Sequence, residues 1–226
     1  MKAMILAAGR GERMRPLTDA TPKPLLVAGG KPLVAWHIEA LVRAGMRDIV
    51  INHAHLGHMI EAALGDGTRL GARIRYSRED EALETAGGIA NALALLGDAP
   101  FLVVNGDIFC DYDFATLPTL ATCDLAHLVL VTNPPQHLQG DFALAGDRVA
   151  APSPVFHSSL LTFSGIGLYR PQLFAGITAG TKAKLAPLLL EAMRAGQVGG
   201  ELFAGCWTDV GTPERLSALD QLLSGR

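Results

Sequence analysis

The amino-acid sequence predicts an α/β protein with three layers, α/β/α, in which helices cover both faces of a mixed, mainly parallel β-sheet. Short apolar runs alternate with segments of helical length along the 226 residues, a pattern typical of α/β proteins. Residues 49–51 and 101–104 are apolar without alternation, so both faces of these strands should be buried. A chain of this length favours one domain, which we expect to span residues 1–226.

The individual elements follow from these runs and from the residues that bound them. Strands are predicted at residues 3–6, 48–52, 73–77, 101–105 and 125–132, and helices at 32–44, 56–64, 87–96, 185–195 and 213–223. Pro32 suits the first turn of its helix, and Gly45 suits its end. Later in the chain, Gly146-Asp147 predicts the turn of a hairpin over residues 142–149, and a further strand is predicted over 161–169. No linker separates these elements from the first half, so they should extend the same sheet.

Composition and charge exclude several classes of partner. The net charge is −3, so no field of the whole molecule attracts nucleic acid or an anionic membrane. The apolar run at residues 3–8 is too short for a membrane span, and three arginines follow it where a signal peptide would be cleaved. Cys110, Cys123 and Cys206 form no C-x-x-C pair, which disfavours a disulfide framework. We expect a cytoplasmic protein that binds neither nucleic acid nor membrane, with its oligomeric state open.

A glycine-rich loop follows the first predicted strand. Residues 6–18 read Leu-Ala-Ala-Gly-Arg-Gly-Glu-Arg-Met-Arg-Pro-Leu-Thr, and Pro22-Lys23-Pro24 closes the loop. At such a place, backbone N–H groups can approach a phosphate closely. The dinucleotide fingerprint fails because Met14 stands where Gly or Ala is required, and the Walker pattern fails because Pro32 stands where Ser or Thr is required. From this segment alone, a solvated basic turn remains an alternative.

Two acidic positions are candidate metal ligands. Asp107 follows the predicted strand at 101–105, at the edge of the sheet where open α/β proteins bind ligands. Asp209 lies in the segment Trp207-Thr-Asp-Val-Gly-Thr, directly before a predicted helix. Mg²⁺ prefers one or two carboxylates, with phosphate and water completing its shell. The residues alone leave open that each acid is a turn former or a helix cap.

The loop pattern resembles the signature of the sugar-1-phosphate nucleotidyltransferases. The matching positions are Gly9, Gly11, Arg13, Met14, Pro16, Leu17, Thr18, Pro22, Lys23 and Pro24. The resemblance implies the nucleotidyltransferase version of the Rossmann-like architecture. It also implies that a nucleoside triphosphate and a sugar 1-phosphate react, with Mg²⁺, to give a nucleotide sugar and pyrophosphate. By the same resemblance, Arg13, Lys23, Asp107 and Asp209 are the catalytic residues, and Asp107 and Asp209 bind the metal ion.

The binding residues are also implied by the resemblance and divide the chain into two halves. In the nucleotide-binding half, about residues 1–110, the expected contacts are Leu6, Ala7, Ala8, Gly9, Gly11, Lys23, Leu83, Glu84 and Gly87. The sugar-phosphate-binding half covers about residues 111–226. The expected acceptor contacts are Asn105, Gly140, Asp141, Ser164, Gly165 and Lys184. The alternative to substrate binding, for each acceptor residue, is a structural place in the core or on the surface. For residues 84–88, the alternative to nucleotide binding is that they simply begin a helix.

Within the family, the segments Leu6-Ala-Ala-Gly, Leu83-Glu-Thr-x-Gly-Gly, Val104-Asn-Gly-Asp and Thr162-Phe-Ser-Gly most resemble those of a uridylyltransferase. By this resemblance, the expected substrates are UTP and N-acetylmuramate 1-phosphate, in peptidoglycan recycling. The expected walls for the lactyl carboxylate are residues 52–58, 83–84 and 140–141, where Asn52, His53 and His55 either donate hydrogen bonds to it or simply end a strand. One alternative is a mannose- or heptose-1-phosphate guanylyltransferase. A second, a non-catalytic nucleotide-sugar sensor, is disfavoured because the implied phosphate and metal residues are all present. His53, His55 and His58 fit no standard zinc spacing.

Overall fold

The computed structural model describes residues 1–153 and 160–225. The strands in these residues are β1 (Ala3–Leu6), β2 (Val27–Ala28), β3 (Lys31–Pro32), β4 (Asp48–His53), β5 (Arg73–Arg78), β6 (Phe101–Asn105), β7 (Ile108–Cys110), β8 (Ala126–Val131), β9 (Phe142–Ala145), β10 (Arg148–Ala150), β11 (Leu160–Tyr169), β12 (Val198–Phe203) and β13 (Trp207–Asp209). The α-helices are α1 (Leu17–Ala20), α2 (Leu33–Arg43), α3 (Gly57–Leu64), α4 (Glu84–Leu96), α5 (Leu185–Arg194) and α6 (Pro213–Ser224). The predicted strands and helices are confirmed, with ends that differ by at most three residues.

Strands from both halves of the chain share one mixed sheet. Its order is β5-β4-β1-β6-β11-β8-β12-β10-β9. Strands β5, β4, β1 and β6 run parallel, as does the pair β8 and β12. Strand β11 runs antiparallel to both β6 and β8, and β9 and β10 form the predicted hairpin. The mixed sheet is therefore confirmed, with parallel pairing concentrated in the first half of the chain.

Helices bury both faces of this sheet. On one face, α4 and α5 pack Ile89 and Leu189 against strand residues such as Phe101. On the other face, α2 and α3 pack Ile38 and Ile60 against the same strands. Each large apolar side chain buried in this way stabilises the fold by about 1.5–3 kcal/mol. The predicted three-layer arrangement is thus confirmed. No helix within the described ranges has the length and apolar character required to cross a membrane.

Strand β12 was missed by the sequence analysis because two adjacent glycines interrupt its apolar pattern. The structure explains them by close packing between neighbouring strands. A Cβ atom at Gly200 would lie 2.3 Å from Cγ2 of Val149 and 2.9 Å from the carbonyl oxygen of Leu128. Any larger side chain would push β12 away from β8 and β10. Glycine is therefore required at this position of the strand.

A buried histidine of α2 supports the strand that follows Asp107. The His37 side chain is almost inaccessible, and its Nε2 lies 2.8 Å from the carbonyl oxygen of Ile108. Burial lowers the pKa of the imidazole from 6.5 to about 4, because the charged form cannot be solvated there. The neutral ring donates its N–H to the carbonyl and so connects α2 to β7.

We expect the free energy of unfolding to decrease as the pH is lowered from about 6.5 towards 4, because the unfolded chain then binds a proton at His37 that the folded chain does not. The full shift corresponds to about 3 kcal/mol. Urea unfolding at about pH 7.5, 6 and 5 should show a shallower pH dependence for His37→Gln than for the unchanged protein. His58→Gln, at an exposed position of α3, is the control and should keep the steeper dependence. An unchanged slope in His37→Gln would contradict this role of His37.

Candidate active site

A cavity of about 630 Å³ opens at the carboxyl ends of β1, β4 and β6. These strands run parallel, so their ends meet at one edge of the sheet. The loop after β1 and the segment before α4 form much of the remaining wall. The residues predicted from the sequence that line this cavity are Leu6, Ala7, Ala8, Gly9, Gly11, Arg13, Lys23, Glu84, Asn105 and Asp107. The structure thus brings most of the predicted nucleotide and catalytic residues to one place.

The glycine-rich loop depends on the left-handed conformation of Gly11. Its φ is +66°, and its carbonyl oxygen accepts hydrogen bonds from the Met14 N–H at 2.8 Å and the Thr18 hydroxyl at 2.8 Å. A Cβ atom at Gly11 would also lie 3.0 Å from Cγ2 of Thr18. A side chain there would be strained and crowded at once. Gly11 therefore sets the turn that places Arg13 at the wall of the cavity.

Lys23 and Asp107 form an ion pair at the floor of the cavity. The Lys23 Nζ lies 2.8 Å from Oδ2 of Asp107, and the Lys23 side chain is only 8% exposed whereas that of Asp107 is 47% exposed. A lysine is rarely buried without a counter-charge, because the ammonium loses its hydration. Asp107 supplies that charge and leaves part of its own carboxylate open to the cavity.

Asp107 and Asp209 are neighbours because β7 and β13 pair antiparallel. Asp209 stands opposite Ile108 in this small sheet, and the N–H of Val210 donates to the carbonyl oxygen of Asp107 at 2.8 Å. Both short strands were missed by the sequence analysis, since three residues carry too little pattern. Their pairing brings together the two acids that the family resemblance implied as metal ligands.

A second cavity, of about 360 Å³, adjoins the first. The two share Arg13, Asn105 and Asp107 in their walls. The smaller cavity is also lined by Asp209 and by the predicted acceptor residue Ser164. Two molecules bound in the adjoining cavities would therefore meet beside Asp107 and Asp209.

Asp209 is held by two side chains that the sequence analysis did not select. Its Oδ1 accepts hydrogen bonds from Gln136 Nε2 at 2.5 Å and from Arg215 Nη1 at 3.1 Å. Gln136 follows the Asn133-Pro-Pro turn, and Arg215 lies in the first turn of α6. In the structure each of the two acids is thus neutralised by one cation, Lys23 for Asp107 and Arg215 for Asp209.

Four predicted binding residues lie outside the walls of both cavities. Leu83 is buried, and Gly87 packs so closely that a Cβ atom would lie 2.3 Å from the carbonyl oxygen of Thr181. Gly140 and Gly165 adopt positive φ angles of 66° and 85°. None of these four lines either cavity. Their roles in binding stay predictions.

Asp141 and Lys184 are also outside both cavities. Asp141 accepts a hydrogen bond from the Phe163 N–H at 2.8 Å and lies 3.0 Å from Nε2 of His137. Lys184 is exposed and directly precedes α5, so the structure does not bring it to the site as the sequence predicted. In this segment of the chain, the lysine that lines the larger cavity is Lys182, whose Nζ lies 2.8 Å from Oε2 of Glu81.

A buried hydrogen-bond chain connects the glycine-rich loop to the segment before α4. Asn52 accepts from the Ala7 N–H at 2.9 Å and donates to Glu79 Oε1 at 2.7 Å. Glu79 Oε2 accepts from the Leu83 N–H at 2.9 Å. Burial raises the pKa of the Glu79 carboxyl. The Asn52 oxygen and one of its amide N–H donors are therefore engaged within the protein, and the sequence offered no signal for this connection.

The histidine cluster does not face the cavities. His53 is buried with its Nε2 2.7 Å from Oε1 of Glu61, whose carboxylate also pairs with Arg78. Donation from Asn52, His53 or His55 to a substrate carboxylate stays a prediction; Asn52 and His53 also have the protein partners described above. Across residues 1–153 and 160–225, no group of three or more His, Cys, Asp and Glu residues is placed to bind a metal ion.

Comparisons with known proteins identify the family. A family model described as nucleotidyl transferase matches residues 2–142. The chain is 56% identical over 227 residues to the N-acetylmuramate alpha-1-phosphate uridylyltransferase of Neisseria meningitidis serogroup B, with 98% of each chain covered. It is 31% identical over 227 residues to the mannose-1-phosphate guanylyltransferase catalytic subunit beta of Danio rerio, covering 95% of this chain and 62% of that one. The chain therefore belongs to the nucleotidyl transferase family and is a nucleotidyltransferase, as the loop pattern predicted.

The fold is shared with a solved structure. A Bacillus anthracis protein described as a glucose-1-phosphate thymidylyltransferase, solved with sucrose, superposes with a TM-score of 0.85. The alignment covers 100% of this chain and 96% of the other, at 22% sequence identity. At that identity the likeness establishes the fold, and the expected nucleotidyltransferase architecture is confirmed.

Proposed function

We propose that this enzyme transfers a uridylyl group from UTP to N-acetylmuramate α-1-phosphate, giving UDP-N-acetylmuramate and pyrophosphate. The observation that carries the proposal is the 56% identity, over nearly the whole of both chains, to a uridylyltransferase of that specificity. The reaction belongs to peptidoglycan recycling. Its proposed location is the cytoplasm, where the three cysteines, free in the structure, would remain reduced.

In this proposal UTP occupies the larger cavity. The backbone of the glycine-rich loop faces the triphosphate, and Arg13 and Lys23 bind the oxygens of the departing pyrophosphate. Fixed positive charge on a leaving pyrophosphate lowers the barrier most in a site that excludes water. The burial of Lys23 supports this role, since an ammonium with few water contacts acts strongly on a nearby phosphate. The uracil ring lies against the segment around Glu84.

Asp107 and Asp209 are proposed to hold a Mg²⁺ ion. Both are carboxylates, the hard oxygen ligands that Mg²⁺ prefers. The pairing of β7 and β13 brings the two residues near each other, and both line the smaller cavity. In the structure each of these carboxylates contacts one cationic side chain. Two protein carboxylates leave coordination positions for phosphate oxygens and water. When bound, the ion neutralises negative charge on the reacting phosphates.

The acceptor is proposed to bind in the smaller cavity, which adjoins the larger at Arg13, Asn105 and Asp107. An oxygen of its 1-phosphate attacks the α-phosphorus of UTP. The bond from that phosphorus to the oxygen bridging the β-phosphorus breaks, and the electron pair leaves with pyrophosphate. The acceptor phosphate is already anionic at neutral pH, so no general base is required. The protein contributes alignment of the two substrates and neutralisation of charge. In this scheme the halves 1–110 and 111–226 act as one catalytic domain.

Two other functions are less well supported. The guanylyltransferase alternative has the Danio rerio relative in its favour, but at a clearly lower identity of 31%. A non-catalytic sensor should have lost a phosphate or metal residue, whereas Arg13, Lys23, Asp107 and Asp209 are all present at the cavities.

Donor and acceptor choice provides the test of the proposed function. With UTP, we expect kcat/KM for N-acetylmuramate 1-phosphate to exceed that for N-acetylglucosamine 1-phosphate by at least about tenfold, because a polar site discriminates strongly against an analogue that lacks the group it binds. Pyrophosphate release is measured with UTP and GTP against the muramate, glucosamine, glucose and mannose 1-phosphates. Equal or better turnover of mannose 1-phosphate with GTP would overturn the proposal and favour the guanylyltransferase.

A further inference from the structure

Arg215 is fixed at the start of α6, and its guanidinium contacts Asp209. Thr212 caps this helix, its hydroxyl accepting from the Arg215 N–H, and Pro213 occupies the first turn. The Arg215 side chain is 20% exposed, and its Nη1 donates to Oδ1 of Asp209 at 3.1 Å. The helix start therefore holds an arginine against one of the two candidate metal ligands.

Among the described residues, this guanidinium makes a hydrogen bond through only one of its three nitrogens, Nη1. An arginine side chain carries five N–H donors. The Nε atom of Arg215 is buried and has no partner among the described residues. Such a group costs about 1–3 kcal/mol when it stays unsatisfied. A buried, unsatisfied cationic donor at the wall of a substrate cavity indicates an anionic ligand.

The guanidinium also lies where the two cavities approach each other. Arg215 lines the smaller cavity, and Gly211 lines the larger one. The two residues are in contact, since a Cβ atom at Gly211 would lie 2.4 Å from Nη2 of Arg215. In the proposed reaction, the acceptor phosphate must reach this place to attack the nucleotide. A side chain larger than glycine would displace the guanidinium from it.

We propose that Arg215 binds the 1-phosphate of the acceptor, and that it is held by Asp209 until a divalent cation neutralises that carboxylate. This inference rests on the proposed function and adds a residue to its acceptor site. An aspartate shared with a dication attracts a guanidinium much less than a free aspartate does. The planar fork of the released side chain can then bind two oxygens of one phosphate. Binding of the metal ion and of the acceptor phosphate is thereby coupled through Arg215.

The experiment compares Arg215→Met with Arg215→Lys. We expect the KM for the acceptor to rise by at least about tenfold in Arg215→Met, because a charged pair in a partly desolvated site is lost. The KM for UTP should change by less than about twofold, and Arg215→Lys should recover part of the loss. Calorimetry with Mg²⁺ and α,β-methylene UTP, which cannot be cleaved between its α and β phosphates, should show acceptor affinity falling by a similar factor.

Two control variants accompany this test. The first separates binding of the acceptor phosphate from support of Asp209, and the second controls for the substitution. Gln136→Met removes the other side-chain donor to the same oxygen of Asp209 without removing a charge. Its effect on acceptor affinity should be clearly smaller than that of Arg215→Met, and an equal effect would overturn the inference. Arg194→Met, at an exposed position in the last turn of α5, controls for the substitution itself.

The choice of acceptor identifies the anion. If Arg215 binds the 1-phosphate, the loss in Arg215→Met is the same for the muramate and the glucosamine 1-phosphates. A loss confined to the muramate would show that Arg215 binds the lactyl carboxylate and would overturn the inference. An unchanged acceptor KM would overturn it as well. Failure of the unchanged enzyme to use any sugar 1-phosphate would instead contradict the proposed function.

Discussion

Replacing Asp107 or Asp209 with asparagine is expected to reduce kcat by about 10²- to 10³-fold, the usual cost of losing one group that stabilises developing charge. The side-chain oxygen of asparagine can still accept from Lys23 at position 107, and from Gln136 and Arg215 at position 209. The fold should therefore be retained, with the loss confined to turnover. Pyrophosphate release at saturating substrates measures kcat, and thermal unfolding followed by circular dichroism checks the fold.

Asp113→Asn is the matched control for these two variants. Its carboxylate caps a short 3₁₀-helix by accepting from the Ala115 N–H, and asparagine caps helices about equally well. We expect its kcat to stay close to that of the unchanged protein. If either Asp107→Asn or Asp209→Asn kept more than about a tenth of the original kcat, that residue would no longer be a candidate metal ligand.

Replacing Lys23 or Arg13 with methionine should lower kcat by at least about 10²-fold, as expected for cations that stabilise charge during phosphoryl transfer. Methionine keeps much of the side-chain volume, so the buried position of Lys23 is filled while its charge is removed. Both variants should also weaken UTP binding more than acceptor binding, since their cations face the triphosphate in the proposed reaction. Steady-state kinetics and calorimetry with UTP measure the two effects.

Arg15→Met provides a control in the same loop with the same loss of charge. Arg15 is largely exposed and pairs with Asp19, and it lines neither cavity. Its kcat and UTP affinity should change little, because an exposed ion pair contributes only about 0–1 kcal/mol. Unchanged UTP affinity in both Lys23→Met and Arg13→Met would show that the glycine-rich loop does not bind the triphosphate.

Local sequence was sufficient for the fold class and for the larger cavity. The apolar runs at β1, β4 and β6 predicted the parallel part of the sheet, since continuous apolar strands need cover on both faces. The residues that follow these strands then had to meet at one edge. The glycine-rich loop was recognisable because its glycines and prolines occupy fixed positions with a backbone requirement, as the φ of +66° at Gly11 shows. Such information is contained in a few consecutive residues.

The contacts that complete the site depend on residues far apart in the chain. Asp209 reaches Asp107 only because two three-residue strands pair, and Glu79 reaches the glycine-rich loop only through Asn52. The same holds for Arg215, whose guanidinium pairs with Asp209 and packs against Gly211. The sequence by itself therefore determined the layers, the glycine-rich loop and the family. Only the tertiary structure decided which cation faces which acid, because such pairs are selected by long-range packing and leave no local pattern.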